Sequence, residues 1–145
     1  MESKKQERDF TMIDWYKKAL VENYANFNGR ARRSEYWNFT LVNVFVIIAL
    51  YVIMILGAIA DIPVLAGIGG ILVMIFALGT FIPHLAVAVR RLHDTGKSGA
   101  FLLLGFVPFV SLILLVFYAT EGDKNTNQYG EDPKDFSRET LMTAV

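Results

Sequence analysis

Between residues 90 and 99 the chain reads RRLHDTGKSG, a run that gathers two arginines, a histidine, an aspartate, a lysine and a serine. Three chemistries are open to such a run. Gly96-Lys97-Ser98 matches the end of a phosphate-binding loop, His93-Asp94 offers an acid and a base, and the cations suit anionic oxygen. The loop motif needs another glycine five positions before Gly96, where Arg91 stands, and AVAVRRLHD leads in rather than a soluble-sheet strand. Nucleotide binding of that kind is excluded. On a helix, His93 and Asp94 project about 100° apart and form no ready-made dyad. No nucleophile at helical spacing completes a set, and two histidines are too few for a metal site. The residues assign no catalytic group, no metal and no cofactor.

The elements that position this run are apolar blocks. Of 145 residues 54% are hydrophobic, and the mean hydropathy is +0.40. Residues 39–60 and 101–119 carry no charge, and 62–89 hold one ionisable group, His84. As helices these blocks would be ~33, ~28 and ~42 Å long, against a hydrocarbon core about 30 Å thick. A soluble bundle would show polar faces that these blocks lack. The expected fold is an all-α membrane protein: three transmembrane helices, about 39–60, 64–89 and 101–119, with an N-terminal amphipathic interfacial helix. The first block starts too late and runs too long for a cleavable signal peptide, and is expected to act as an uncleaved anchor. Zero cysteines exclude disulfides and thiolate chemistry.

Basic residues give an expected orientation. Residues 1–38 hold Lys4, Lys5, Arg8, Lys17, Lys18, Arg30, Arg32 and Arg33; the first link holds only Asp61; the second holds Arg90, Arg91 and Lys97. The tail sets Lys124, Lys134 and Arg138 against six acids. Three crossings from a cytoplasmic N-terminus put the tail on the opposite side. A re-entrant piece around Gly79 and Pro83 would bring it back. The organisation is then 1–38, a cytoplasmic segment with an amphipathic helix and an Arg-rich juxtamembrane motif; 39–119, a membrane domain; and 120–145, a polar tail.

Residues 1–10 are polar and expected to be loose. From Thr11, Met12, Trp15 or Tyr16, Ala19, Leu20 and Tyr24 fall near helical spacing, as in a helix lying at a membrane interface or capping the bundle. Asn28 suits an N-cap for a helix running from Gly29 into the first span, which sets Arg30, Arg32 and Arg33 on its unfavourable positive end. Glu35 offsets one cation; lipid phosphates or an acidic partner would offset others, each worth ~1 kcal/mol near an anionic surface. Tyr36 and Trp37 sit where interfacial aromatics belong. Ala66 and Gly70 form a small-x-x-x-small pair, Pro83 is placed to kink the second helix, and Gly96 suits a C-terminal cap that turns the chain into the third block. The tail, rich in turn formers, is expected to fold back as a short cap. Asp123, Asn125 and Asn127 alternate like calcium ligands, but the EF-hand pattern fails.

FNGRARRSEYW before the first span, RRLHDTGKSG before the last and EGDKNTNQYGEDP after it, in this order, resemble the bacterial inner-membrane family known as domain of unknown function 805, with its YhaH-like proteins. The resemblance covers roughly residues 15–136. It implies a small integral protein of the bacterial cytoplasmic membrane and supplies no reaction.

Three functions compete. In the first, a non-enzymatic assembly, adaptor or lipid-interacting component carries a collar of Arg30, Arg32, Arg33, Arg90, Arg91 and Lys97 at one cytoplasmic level. Glu35 and Asp94 brace it, and spare guanidiniums meet phosphates of anionic membrane lipids; the plainer alternative is positive-inside topology with a structural brace. A homo-oligomer or a membrane-protein partner fits this reading. The second is an oligomeric transporter or channel component using His84, with His93 the other protonatable candidate. The third, an enzyme acting on a lipid-linked substrate through His93 and Asp94, lacks the geometric roles that define a site. Nucleic acid is not an expected partner, the sequence pI being about 6.7 with basic residues at membrane depth.

Overall fold

The computed structural model describes residues 7–135, so Lys4, Lys5, Arg138, most of the expected loose N-terminal stretch and the last part of the tail lie outside it. Thr11 opens the first element with a reciprocal cap: its Oγ1 accepts from the Asp14 amide (3.4 Å) while Asp14 Oδ2 accepts from the Thr11 amide (2.7 Å). Helix α1 (Met12–Lys17) continues as a π-helical turn over Lys18–Glu22. Trp15 and Ala19, four apart, are buried, Tyr16 stacks on Phe39 (5.2 Å), and Ile13 and Val21 face outward.

The expected helix from Gly29 does not form. Gly29 takes a left-handed φ of +81° and the Ala31 amide donates to the Arg90 carbonyl (2.9 Å), so the chain enters α2 (Arg33–Ile59) only at Arg33. Arg30 and Arg32 therefore belong to the loop and not to a helical first turn. This frees the Arg30 side chain to turn inward, where it is almost fully buried.

Helices α2 and α3 (Pro63–Asp94) are long and apolar enough to cross a membrane, ~40 and ~48 Å. A short link with Asp61 at φ 56° folds them into a hairpin, and Pro63 supplies a first-turn residue whose missing N–H costs nothing there. The close approach falls on Gly57 and Gly69: a Cβ would lie 2.6 Å from the Ala66 nitrogen at the first and 2.9 Å from Met54 Cα at the second. Gly70, from the expected pair, meets only the Met54 sulfur at ordinary contact distance. Helix α3 runs through Pro83, whose ring nitrogen cannot donate to the Gly79 carbonyl four residues back. The Tyr24 hydroxyl donates to that carbonyl instead (3.0 Å).

The third apolar block is not one helix. A 3₁₀ helix over Gly99–Phe106 is followed by a bend, with Pro108 and a left-handed Phe109 (φ 64°), and then by α4 (Leu112–Ala119), which is ~12 Å long. Phe101 meets Phe117 edge-on (5.8 Å), and Gly105 faces the Leu114 side chain, so the two pieces run antiparallel. Both ends of the block lie at the C-terminal end of α3: Gly99 abuts Val89 and His93, and Arg91 reaches the Tyr118 carbonyl (3.1 Å). The tail consequently emerges beside the start of α2. This corrects the expectation of a third long helix over 101–119 with the tail at the far end. The cause is the break at Pro108; α3 is continuous through Gly79 and Pro83.

The core gathers at this same end, where Ala19, Ala31, Tyr36, Phe39, Val87, Ala88, Leu92, Leu114 and Tyr118 pack together. Farther along the hairpin, side chains such as Ile48, Ile71 and Leu78 are exposed. The molecule is a packed head on a long, thin, apolar pair of helices.

Candidate functional site

Two carboxylates in the head each hold two cations. Asp94, buried at the last turn of α3, takes Arg30 Nε on Oδ1 (2.9 Å) and Arg91 Nη1 on Oδ2. Glu35, fully buried in the first turn of α2, pairs with Arg90 Nη1 (2.7 Å) and Lys18 Nζ (3.3 Å). Buried charge is tolerated only when paired and hydrogen-bonded, and around Asp94 the surplus positive charge is met by main-chain oxygens. Arg30 donates to the carbonyls of Asp123, Asn125 (2.7 Å) and Gly130 (3.3 Å). Arg91 donates to those of Tyr118 (3.1 Å) and Thr120. Two guanidiniums thus tie the loop before α2, the end of α3, the end of α4 and the tail into one knot.

Local backbone chemistry builds the knot. After Asp94 the chain closes α3 with a Schellman turn: Lys97 N–H bonds the Leu92 carbonyl (3.0 Å) and Gly96 N–H the His93 carbonyl (3.0 Å), with Gly96 at φ 70°. Gly96 has a second constraint, since a Cβ there would fall 2.6 Å from Asp123 Oδ2. At Gly122 a Cβ would fall 2.0 Å from Asp94 Oδ2, so the tail passes against the carboxylate only because that residue has no side chain. The Asp123 amide then bonds the Asp94 carbonyl (2.7 Å), and Asn127 caps the His93 carbonyl (2.9 Å).

The other expected residues take separate places. Arg32 pairs with Glu7 (3.3 Å) beneath the Trp15 ring, and Arg33, 40% exposed, pairs with Glu121 (2.8 Å). Lys97 bonds the Thr95 carbonyl (3.1 Å) and lies over the Phe117 ring. His93 and Asp94 face different partners: the His93 Nδ1 donates to the Gly29 carbonyl (3.1 Å), which fixes the tautomer, and its ring stacks flat on Tyr129 (3.8 Å). His84 stands apart, against Tyr36 and Phe39 and on the wall of an open apolar groove with Asn43, Ile47, Phe76 and Thr80. Glu121, outside the apolar helices, has its carboxyl held below its ordinary 4.5 by the hydrogen bond and charge of Lys134, then by Arg33.

Sequence reasoning missed Lys18, Glu7, Asn127 and Tyr129, and the carbonyls of Tyr118, Thr120, Asp123 and Asn125. A readable signal existed for one: Lys18 lies on the same helical stretch as buried Ala19 and Trp15. Main-chain acceptors leave no mark on residue type.

The loop and α2 start, the α3 end with its turn, and the tail coincide with the three sequence motifs, and a family model named Protein of unknown function (DUF805) matches residues 24–131. The chain belongs to the DUF805 family. Among relatives of this DUF805 chain, the inner membrane protein YhaI of Escherichia coli is 50% identical over 124 residues, covering 84% of this chain and 97% of YhaI. The inner membrane protein YhaH of Escherichia coli is 45% identical over 123 residues, 84% of this chain and 98% of YhaH. No solved structure matches. The matched region holds Arg30, Glu35, Arg90, Arg91 and Asp94 of the DUF805 chain; Glu7, Trp15 and Lys18 precede it.

Proposed function

We propose that this DUF805 protein is a non-enzymatic scaffold of the bacterial cytoplasmic membrane, with its head at the cytoplasmic surface. In this reading α2 and α3 cross the bilayer, α1 lies in the interface, and residues 99–119 enter and leave on the cytoplasmic side. The Asp94 knot carries the proposal: one buried carboxylate holds Arg30 and Arg91, whose remaining donors clamp α4 and the tail into a rigid platform, so these charges are engaged in bracing. Every Lys and Arg of the described residues lies in the head and none in the link at Asp61, which supports the orientation. A thin hairpin exposing most of its apolar surface supports lateral association with lipid or with a membrane partner, a second copy included.

The collar then divides by role. Arg30, Arg90 and Arg91 are internal braces, while Arg33 and Lys97 at the rim remain accessible to anionic lipid phosphates. The test is lipid retention by native mass spectrometry. Arg33→Ala and Lys97→Ala should stay folded and lose anionic lipid; Arg91→Ala should lose the fold. Full lipid retention by both rim variants would remove lipid contact from the reading. His84 suits a transporter less well, since its neighbours are two aromatic rings on an apolar wall.

A further inference from the structure

One side of the α2–α3 hairpin carries the groove that holds His84. Asn43 and Ile47, four apart, share a face of α2, and Ala77, Thr80 and His84, at i, i+3 and i+7, share a face of α3. Between these faces lies a cavity of about 300 Å³, at the small end of ligand sites. It is continuous with the exposed apolar surface of the hairpin, to which its wall residues Val44 and Phe81 belong. Ile47 and Phe76 lie farther along the hairpin than His84, so the imidazole stands at the end of the groove nearer the head.

Two polar side chains on these walls are satisfied within the protein. Asn43 Nδ2 donates to the Phe39 carbonyl (2.9 Å) and its Oδ1 accepts from the Tyr16 hydroxyl (3.4 Å), while the Thr80 hydroxyl donates to the Phe76 carbonyl (2.8 Å). His84 is not. Its ring lies against Tyr36 (6.3 Å between centres) and Phe39 (5.9 Å), and neither nitrogen has a hydrogen-bond partner among the described residues. A neutral imidazole carries one donor and one acceptor, and a polar group left unmatched in an apolar medium is costly. Arg90, six residues on, stands ~9 Å away along the helix, so the charges of the head do not supply the partner. An ionisable residue at such depth is matched by something that comes from the lipid side.

We propose that the groove binds a long-chain fatty acid, its carboxyl on His84 and its chain lying between α2 and α3 toward the Asp61 link. The volume suits one chain and not two, and the opening onto the apolar surface admits a ligand dissolved in the bilayer. A carboxyl matches an imidazole whichever of them holds the proton. As the acid it donates to the bare nitrogen; as the carboxylate it accepts from an N–H and offers its charge to an imidazolium. An ester only accepts, and an alcohol brings no charge. The site rests on the reading that α2 and α3 cross the bilayer, and it adds a ligand distinct from the phosphates at the rim.

The experiment gives the full chain in nanodiscs palmitic acid, hexadecanol or methyl palmitate, measures how tightly each is retained, and follows the ring-nitrogen NMR signals of the two histidines. Palmitic acid should bind and move the His84 signal while that of His93 stays in place. The alcohol and the ester should bind about ten-fold more weakly, equivalent to ~1.4 kcal/mol, which is within the worth of a hydrogen bond to a charged group. His84→Phe, which keeps an aromatic ring there, should lose about the same factor for palmitic acid and leave the ester unchanged. Ala77→Trp, on an exposed part of the wall, should fill the groove and exclude all three probes with His84 intact; should His84→Phe fail to fold, this variant carries the test. Palmitic acid held no tighter than the ester or the alcohol, or an unmoved His84 signal, overturns the carboxyl site. Undiminished binding to Ala77→Trp overturns the groove. Labelling of Lys17→Cys and Asp61→Cys from one side of the membrane is a separate failure, that of the crossing on which the site depends.

Discussion

At Asp94 one oxygen takes Arg30 and the other Arg91, so replacing the carboxylate by the isosteric amide strands two buried guanidiniums against each other. Breaking a buried pair by removing one partner costs about 3–5 kcal/mol. Asp94→Asn is expected to lower the unfolding temperature in detergent by correspondingly more than Glu121→Gln, which alters only exposed pairs, with Arg33 and Lys134. A finer test lies at Tyr24. Its hydroxyl replaces the donor that Pro83 lacks, and Tyr24→Phe should cost about 1 kcal/mol in the same assay, the worth of one hydrogen bond. That loss should vanish in a Pro83→Ala background, where the residue 83 amide can bond the Gly79 carbonyl. That Glu35 and Asp94 would meet cations was legible in the sequence, because carboxylates near a cluster of cations at helix ends have few other uses. Which cation each would take was not, and the carbonyls that finish the work have no signature in residue type.

On the scale of elements, the hairpin depends on two glycines that let α2 and α3 touch. Gly57→Ala and Gly69→Ala force apart backbone or near-backbone atoms at 2.6 and 2.9 Å, and each should destabilise by about 1–3 kcal/mol, read from thermal unfolding in one detergent. Gly67→Ala, facing open space, is the control and should be near neutral. Sequence pattern pointed to Ala66 and Gly70: Ala66 does lie at the close approach, opposite Gly57, while the other contact falls on Gly69 and not Gly70, since the contact register of two apolar helices is set by how the link folds them. The third block shows the same limit. Charge-free length marked 101–119 as buried in lipid, yet length alone does not tell one helix from a hairpin of two short pieces. Pro108 was the visible cue, and its force depends on a packed neighbour that accepts both ends.

For the whole molecule, the hairpin at 99–119 brings the tail to the end where α2 begins, and in the proposed topology that puts the two on one side. The absence of cysteine allows a direct test with single-cysteine variants in oriented vesicles. Lys17→Cys and Lys124→Cys should label from the same side, and Asp61→Cys from the other; labelling of positions 61 and 124 together would overturn the re-entrant topology. The tail's outer tie is pH-dependent. Because the folded carboxyl of Glu121 lies below its ordinary 4.5, its contribution is complete above that value and is lost as the pH falls through the lowered one. Being exposed, it is also screened by salt. Chemical shifts of residues 121–135 should move on acidification through this range, less so at high salt, and Glu121→Gln should remove that transition.

The sequence alone determined that the chain is apolar enough for a membrane, that its cations cluster at the ends of apolar blocks, and that three motifs mark its family. These follow from composition and from local spacing, which act residue by residue. Only the tertiary structure decided that the third block returns to the head, that Arg30 and Arg91 share one carboxylate, and that Glu7 covers Lys18 and Arg32. The pairings Arg30–Asp94, Lys18–Glu7 and Arg32–Glu7 join residues 64, 11 and 25 positions apart, and such contacts depend on which ends of the helices meet.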